Sequence, residues 1–564
     1  MGADLARRLA VARGDEPADT VVKGGRVLSV FTREWLEADV AIADGWIAGI
    51  GEYDGTEIVD ASGRHVVPGF VDAHMHLESS KLLVDEFARL VLPLGTTTVV
   101  VDPHEIANVL GTDGVHWLAD LCHDLPLDVF FMASSCVPAS VYESPRRPLL
   151  PGDLEGLLRR RRVLGLAEMM NFPGVVSGSA AELEKLALDG ATHVDGHAPG
   201  VLGKALQAYA AAGIRSDHEA RTVEEGRERL RAGMWLLIRE ASGARNLRAL
   251  LPLVEEFGPS RLAFCTDDRE PEHVADEGHI NSMVRVAVEA GVRPEDALVM
   301  ASFNPATWHG LKHVGALAPG YQADVLLLPD LERFEPELVL KAGRPVGEIP
   351  RPDVPEWVRH TVRIGPLSTN DFAIPWEGGP ARVIGIVPDQ IVTESLVDQP
   401  RVERGLAVAD PERDLVKIAV VERHLGTGRV GLGFVRGLGL RSGALASTVA
   451  HDAHNVVVVG VKDDDMLRAV RRLAETGGGV VVIDGGIVRA ELPLPIAGLL
   501  SDASLEDVIG ASRACVEAAR RQGCAPPSPF QTLAFLALSV IPSLKITDRG
   551  LVDVERFELV PLRA

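Results

Sequence analysis

The chain has 564 residues, too long for a single hydrophobic core, so we expect roughly two to four domains. Its 80 acidic and 57 basic residues give a formal charge of -23, which argues against binding to the phosphate backbone of nucleic acids. The five cysteines form no C-x-x-C pair, no apolar run reaches the ~18 residues of a membrane span, and the first residues lack a signal-peptide core, so we expect a cytoplasmic protein.

The first 66 residues predict a small β module. A short helix over residues 3–13 precedes brief strands, which we place at residues 20–22, 25–29, 38–43 and 45–50. The module is too short to stand alone, and residues 315–328 end in another strand. We therefore predict a small β-sandwich built from residues 1–66 together with 314–346.

Residues 68–80 contain the motif around which the chain is organised. A buried strand that leads into this motif is predicted from the apolar residues Val66, Val67, Phe70 and Val71. The strand ends in His74 and His76. Because residues two apart on a strand face the same side, both imidazoles can meet one cation.

Residues 67–313 alternate apolar strands with helical segments. About eight β-α units in ~240 residues predict a (β/α)8 barrel within the α/β class, and an open doubly wound sheet is the alternative. The further strands are predicted at residues 96–101, 128–134, 159–164, 165–168, 192–197, 213–218, 234–239 and 262–266. In either fold, polar residues at the carboxyl ends of the strands line the site.

Four of these strands end in, or run directly into, a potential metal ligand. The four residues are Glu168, His197, His218 and Asp267. Together with His74 and His76 they form a set that suits two divalent cations, with Glu168 as the bridging ligand. Two such ions can share one water molecule and lower its pKa towards neutrality.

Neighbouring residues add proton carriers and substrate contacts. Glu219 follows His218 and is the candidate general acid, and Asp267 is both a metal ligand and a proton acceptor. Asp268 is a candidate contact for a metal or for the substrate. His104, which lies in the polar run 102–105 after a predicted strand, is a candidate substrate contact, with a further metal or a supporting role as alternatives.

The chain beyond residue 346 predicts a second large unit. Residues 347–359 are proline-rich and read as a linker, and residues 360–564 predict an α+β domain with a helix at 505–521. We expect the polar run 451–454 of this domain to reach over the barrel mouth, with His451 and His454 as substrate contacts. The glycines of residues 431–439 lack the strand–loop–helix context of a dinucleotide site.

Several of these motifs resemble one known family. Residues 68–80 look like the first metal motif of the amidohydrolase superfamily, and GTTTVVVDPHEIANVLG at 95–111 resembles the bacterial and archaeal adenine deaminases. Further similar runs are AEMMNFPG at 167–174, DGHAPG at 195–200, AGIRSDHE at 212–219, CTDDR at 265–269, VGLGFVRG at 430–437 and ASTVAHDAHN at 446–455. The resemblance spans nearly the whole chain.

This resemblance implies hydrolysis of adenine to hypoxanthine and ammonia, a purine salvage reaction. It implies two divalent transition metal ions, Mn²⁺ or Fe²⁺, and the ligand types leave Zn²⁺ open. Glu219 is then expected to protonate a ring nitrogen, and Asp267 to accept the proton of the attacking water and pass it to the leaving amine. Adenine and water are the expected partners, with no membrane, in a homodimer or larger homo-oligomer.

Two alternatives stay open on the residues alone. Cyclic-amide hydrolases of the hydantoinase or dihydroorotase kind resemble the chain at His74 and His76, but they generally bridge their metals with a modified lysine where this chain has Glu168. A catalytically silent relative would bind metal without turnover, although all six proposed ligands and Glu219 are present.

Overall fold

Eight short parallel strands form the centre of the computed structural model, which describes residues 2–388 and 390–564. We number them barrel strands one to eight in chain order. They span Phe70–Met75, Thr96–Val101, Asp128–Ser134, Val163–Met169, Val194–Gly196, Ser216–Asp217, Trp235–Arg239 and Leu262–Cys265. Strands one to five pair in one sheet and strands six to eight in another.

Two backbone hydrogen bonds close these sheets into a barrel. The Arg215 N–H donates to the Val194 carbonyl at 3.3 Å, between strands five and six. The Asp267 N–H donates to the His74 carbonyl at 3.0 Å, between strands eight and one. The prediction of a (β/α)8 barrel is therefore confirmed.

Helices follow the barrel strands and cover their outer faces. They span Val84–Val91, His104–Leu110, Thr112–Leu121, Pro151–Leu158, Phe172–Ser177, Ala180–Leu186, Gly203–Ala211, Val223–Arg231, Leu247–Leu250, Pro252–Phe257, Pro271–Glu277, Ile280–Glu289, Pro294–Ala301 and Phe303–Trp308. Short 3₁₀ turns occupy Leu77–Ser80 and Leu92–Leu94. This helical cover explains why the central strands read as nearly continuous apolar runs.

The structure corrects the predicted strands at residues 159–164 and 165–168. One strand, Val163–Met169, replaces both of them, and the helix Pro151–Leu158 ends shortly before it. The Arg160 N–H bonds back to the Leu157 carbonyl at 2.9 Å, so the chain turns there and does not extend.

The predicted barrel boundary at residue 67 also shifts. Val66 and Val67 belong to the strand His65–Pro68, which pairs with Val325–Leu328 and not with a barrel strand. The Gly69 N–H donates to the Asp324 carbonyl at 3.0 Å, and barrel strand one begins at the next residue.

Two sheets beside the barrel form the small β-sandwich. One sheet contains, in spatial order, Trp46–Gly51, Asp39–Ala43, Ala18–Lys23 and Gly55–Asp60. The other contains Arg344–Pro345, Leu338–Lys341, Val325–Leu328, His65–Pro68, Arg26–Ser29 and Glu34–Glu37. Buried side chains such as Val22, Ile42, Val66 and Leu340 form one core cluster from both sheets. N-terminal and post-barrel strands thus share one sheet, and the helix Gly2–Arg13 precedes them.

The C-terminal part is built on an eight-stranded mixed sheet. Its strands are, in spatial order, Thr393–Asp398, Ala381–Ile386, Val430–Arg436, Val416–Val421, Val456–Gly460, Ala444–Ser447, Gly479–Asp484 and Ile487–Pro493. The helices are Asp463–Thr476, Leu505–Arg521 and Pro529–Phe535. Two three-stranded sheets add Ile374–Pro375, Leu406–Val408 and Arg401–Glu403, and Leu544–Thr547, Gly550–Asp553 and Glu558–Val560. The predicted α+β character is confirmed, including the helix at 505–521.

The C-terminal part packs directly on the barrel mouth. A buried apolar cluster joins loops that follow barrel strands to the far end of the chain, and its members include Cys136, Met170, Ala241, Leu538 and Ile541. Polar contacts cross the same junction, including the hydrogen bond between the Ser140 and Ser539 hydroxyls at 2.6 Å. This packing places C-terminal side chains above the carboxyl ends of the barrel strands.

The predicted linker at 347–359 is largely irregular but not detached. Residues 346–355 carry neither helix nor strand, and a 3₁₀ turn follows at Glu356–Val358. Val358 is buried, and its carbonyl accepts a hydrogen bond from the Ala497 N–H at 2.8 Å. Among the helices that the structure describes, none is long and apolar enough to cross a membrane.

Candidate metal centre

The six predicted metal ligands all lie at the carboxyl ends of barrel strands and meet in one place. They come from strands one, four, five, six and eight, and each is between 1% and 4% exposed. Because parallel strands in a barrel all end at the same face, residues far apart in sequence arrive together there. The six are His74, His76, Glu168, His197, His218 and Asp267.

One half of the cluster forms around the Oε1 atom of Glu168. His74 Nε2 lies 3.2 Å and His76 Nε2 lies 3.0 Å from this oxygen. Asp267 Oδ1 approaches the same two nitrogens, at 3.7 Å from His74 and 3.1 Å from His76. His76 Nδ1 faces the Asp102 carbonyl at 3.1 Å, which directs Nε2 inward.

The other half forms around the Oε2 atom of Glu168. His197 Nδ1 lies 2.8 Å and His218 Nε2 lies 3.5 Å from this oxygen. The two histidine nitrogens are 3.2 Å apart. Glu168 therefore presents one oxygen to each histidine pair, the arrangement that a bridging carboxylate requires.

Asp72 fixes the strands that carry two of these ligands. Its Oδ1 accepts hydrogen bonds from the His74 N–H at 3.2 Å and from the Thr266 N–H at 3.1 Å. Its Oδ2 accepts one from the Thr266 hydroxyl at 2.5 Å. Complete burial raises the pKa of Asp72 to about 6 in spite of these bonds. Asp72 thus joins strands one and eight beneath His74 and Asp267.

The charges of the centre favour a cation. Burial would lower the pKa of His74, but the Glu168 and Asp267 carboxylates outweigh it and raise that pKa to about 10. Burial would raise the pKa of Glu168, yet the facing imidazoles hold it well below its usual range. The carboxylates that would hold protons on the imidazoles would therefore also attract metal ions, and the ions would replace those protons.

Unpaired polar atoms at the centre fit a metal. His74 Nε2 and Glu168 Oε1 are buried, and neither has a hydrogen-bond partner within the described residues, although they lie 3.2 Å apart. His74, His76 and Asp267 form one potential ligand group, and His74, Glu168 and His218 form another. These ligand atoms lie close together and no hydrogen bond occupies their lone pairs, so two divalent ions could bind them.

Arg239 is a site residue to which the sequence analysis assigns no role. Its Nη1 donates to Asp267 Oδ2 at 2.9 Å and also to Glu219 Oε1, and its Nη2 donates to Glu219 Oε2 at 3.2 Å. Arg239 is 2% exposed and Glu219 is fully buried. The position of Arg239 at the end of strand seven was the available signal, since strands one, four, five, six and eight end in or run into predicted ligands. Arg239 therefore links the two predicted proton carriers.

His104 lies beside the centre with both ring nitrogens facing carboxylates. Its Nδ1 is 3.0 Å from Asp102 Oδ2 and 3.9 Å from Glu168 Oε1. Its Nε2 is 2.8 Å from Asp452 Oδ1, which belongs to the C-terminal part. The predicted reach of the polar run 451–454 over the barrel mouth is thus present in the structure.

The other three predicted substrate contacts lie at the same junction. Asp268 Oδ1 accepts a hydrogen bond from the Ser79 hydroxyl and is 3.4 Å from His451 Nε2. The His451 ring stacks on Phe535, with centroids 4.6 Å apart and an interplanar angle of 13°. His454 is turned towards its own loop, where Nδ1 accepts the Ala450 N–H at 3.1 Å. The structure therefore places Asp268 and His451 together, whereas His454 bonds within its own loop.

Comparison with known families adds the class of protein. Residues 65–346 match the family model described as amidohydrolase family, and residues 390–558 match the model described as adenine deaminase C-terminal domain. The first match covers the barrel, including the six clustered residues, and the second covers most of the C-terminal part.

Curated relatives match over nearly the whole chain. "Adenine deaminase 2" of Carboxydothermus hydrogenoformans is 46% identical over 559 residues, covering 98% of each chain. "Adenine deaminase" of Methylobacterium nodulans is 47% identical and covers 99% of this chain and 100% of its own. "Adenine deaminase" of Brucella suis is 46% identical and covers 97% of this chain and 95% of its own. The chain is therefore an amidohydrolase and belongs, within that class, to the adenine deaminase family.

Solved structures share less of the chain. The N-acetyl-D-glucosamine-6-phosphate deacetylase of Mycobacterium smegmatis is 20% identical with a TM-score of 0.45, and it covers 58% of this chain and 100% of its own. Molinate hydrolase is 16% identical with a TM-score of 0.43, and it covers 59% of this chain and 95% of its own.

Proposed function

We propose that this protein hydrolyses adenine to hypoxanthine and ammonia in purine salvage. The observation that carries the proposal is the position of Glu168, with one oxygen towards His74 and His76 and the other towards His197 and His218. Family membership over nearly the whole chain supports the same reaction.

The centre is proposed to hold two divalent transition metal ions. His74, His76 and Asp267 would hold one, His197 and His218 the other, and Glu168 both. When bound, the ions supply a water molecule whose pKa is lowered towards neutrality. The family resemblance favours Mn²⁺, with Fe²⁺ as an alternative, and four imidazoles with two carboxylates leave Zn²⁺ possible.

Asp267 and Glu219 are proposed to move the protons. Asp267 accepts a proton from the attacking water and delivers it to the departing amino group of C6. Glu219, whose two oxygens accept hydrogen bonds from Arg239, protonates a ring nitrogen and regains a proton from the hydroxyl group on C6 as the amino group leaves. The sum is adenine plus water giving hypoxanthine plus ammonia. General acid-base steps of this kind contribute about 10²–10⁴-fold each.

Asp268 and His451 are the proposed substrate contacts at the barrel mouth. Asp268 directly follows the proposed ligand Asp267, and its side chain faces the C-terminal part at His451. Contacts from His104 and His454 stay predictions, because the nitrogens of His104 face carboxylates and His454 Nδ1 bonds within its own loop.

Ammonia release from adenine by Mn²⁺-loaded protein tests the proposal, with hypoxanthine measured in parallel by chromatography. We expect equimolar products, and near-complete loss of both in Glu219→Gln at unchanged metal content. Activity on dihydroorotate or hydantoin but not on adenine would favour the cyclic-amide alternative. Full metal occupancy without turnover of any of them would favour the silent relative. The cytoplasmic location and the homodimeric or larger assembly stay predictions.

A further inference from the structure

A second cluster of potential metal ligands lies on the far side of the His104 ring from the proposed dinuclear centre. It contains His104 from the barrel and His451 and Asp452 from the C-terminal part. One donor atom from each residue lies within 4.8 Å of the other two, and all three side chains are buried. The proposed function uses none of these three as a metal ligand.

Two atoms of this cluster lack the partners that burial demands. His104 Nε2 and Asp452 Oδ1 lie 2.8 Å apart, yet neither has a hydrogen bond of acceptable geometry among the described residues. Leaving such groups unpaired in the interior is destabilising, because burial has removed their water without a replacement partner. His74 Nε2 and Glu168 Oε1 of the main centre show the same combination of close approach and missing hydrogen bond.

The surroundings of His104 prepare its Nε2 to act as a ligand. His104 Nδ1 lies 3.0 Å from Asp102 Oδ2, and the Ser134 hydroxyl holds the other Asp102 oxygen at 2.6 Å. A carboxylate on one ring nitrogen fixes the proton there and leaves the lone pair of the other nitrogen for a metal. On the opposite side, Asp452 Oδ2 accepts a hydrogen bond from Asn108 Nδ2 at 3.3 Å, which leaves Oδ1 facing the cluster.

His454 marks the limit of the cluster. It forms another potential group with Glu105 and His451. However, its Nδ1 accepts the Ala450 N–H at 3.1 Å, so in the neutral ring the proton sits on Nε2. A protonated Nε2 has no lone pair for a metal, which excludes His454 as a ligand in the described geometry.

We propose that His104, His451 and Asp452 bind a third divalent transition metal ion that joins the barrel to the C-terminal part. Two imidazoles and one carboxylate are a donor set for Zn²⁺, Mn²⁺ or Fe²⁺, and not for the oxygen-preferring Mg²⁺ or Ca²⁺. The ion satisfies both unpaired atoms at once.

Metal stoichiometry of the full-length protein tests the site without any substrate. The protein is loaded with Mn²⁺ or Zn²⁺, passed through gel filtration in metal-free buffer and analysed by mass spectrometry of the metal. We expect about three equivalents per chain in the wild type and about two in both Asp452→Asn and His451→Ala. Glu143→Gln is the matched control, since Glu143 bonds the backbone of the same loop but is not a proposed ligand; it should keep three.

The competing account is a direct ion pair between protonated His104 and Asp452. Two equivalents in the wild type, unchanged in Asp452→Asn, would overturn the third metal and favour the ion pair. Cobalt substitution gives a second measurement, because the visible absorption of Co²⁺ bound to the wild type should lose one component in Asp452→Asn. If a variant fails to fold, the wild-type count still decides between the two accounts.

Discussion

The barrel and the C-terminal part contribute to the same site by different means. All six proposed ligands of the dinuclear centre come from the ends of barrel strands, where the fold itself makes parallel strands converge. The C-terminal part instead adds one loop, with His451 and Asp452, and one helix, with Phe535. The comparison indicates that the barrel sets the chemistry while the C-terminal part covers and completes it. The following experiments test this division.

Removing the bridging carboxylate should have the largest effect. Glu168→Gln retains the size of the side chain but removes the charge that both histidine pairs face. Losing the several kcal/mol that the metal centre supplies predicts at least about a 10³-fold loss of adenine turnover. Metal content should fall with it. Glu240→Gln is the matched control, because Glu240 follows strand seven, is not a proposed ligand and accepts a hydrogen bond from the Leu247 N–H; equal losses in both variants would contradict the bridging role.

Arg239→Met should lower kcat by about 10–100-fold, the usual size for residues that orient metal ligands. The change removes the hydrogen bonds that hold Glu219 and Asp267 together. Arg239→Lys should recover part of the rate, since an ammonium keeps the charge but not the forked geometry. Steady-state kinetics at matched metal content provide the measurement. A variant with unchanged kcat would remove Arg239 from the proposed machinery.

Metal binding should compete with protons. In the metal-free centre the carboxylates raise the pKa of His74 to about 10, so that ring is protonated at pH 7. Metal loading must displace this proton, and metal affinity should fall by about tenfold per displaced proton for each unit of decreasing pH. Calorimetry in buffers of different ionisation enthalpy measures the released protons. Binding without proton release would contradict the ligand assignment.

Phe535→Ala should give the smallest effect. The substitution removes the ring that stacks on His451, a contact of about 0.5–1.5 kcal/mol, which corresponds to a loss of about 2- to 10-fold in kcat/KM. The dinuclear centre should keep both ions, because the residue on which Phe535 stacks, His451, is not one of its six proposed ligands. A loss of metal from the dinuclear centre in this variant would contradict the separate roles given to the barrel and the C-terminal part.

The sequence was sufficient for features that repeat along the chain. The alternation of apolar strands and helices predicts the barrel, and polar residues that end or follow five of the strands predict the six clustered residues. The spacing of His74 and His76 works because strand periodicity is strictly local. Each of these signals can be read within a few residues, and the closure of the barrel then brings the strand ends together.

Individual contacts between distant segments were not accessible, although the composite sandwich and the reach of the C-terminal polar run over the barrel were predicted. Nothing near Asp452 in sequence indicates that its carboxylate would lie 2.8 Å from His104. Arg239 reads as an ordinary strand end until its two acidic partners are seen. The placement of Val66 and Val67 in one strand with Phe70 and Val71 was wrong for the same reason, because His65–Pro68 is a separate strand whose partner lies at Val325–Leu328.

The strand His65–Pro68 has a consequence for how the molecule comes apart. Only Gly69 separates it from barrel strand one, so the connection is one residue long. Gly69 is also tightly packed, because a Cβ there would lie 2.2 Å from Thr97 Oγ1. The same strand is held by Val325–Leu328, which the chain reaches after completing the barrel. Melting of the small sandwich would therefore release His74 and His76, and both units should unfold in a single cooperative transition.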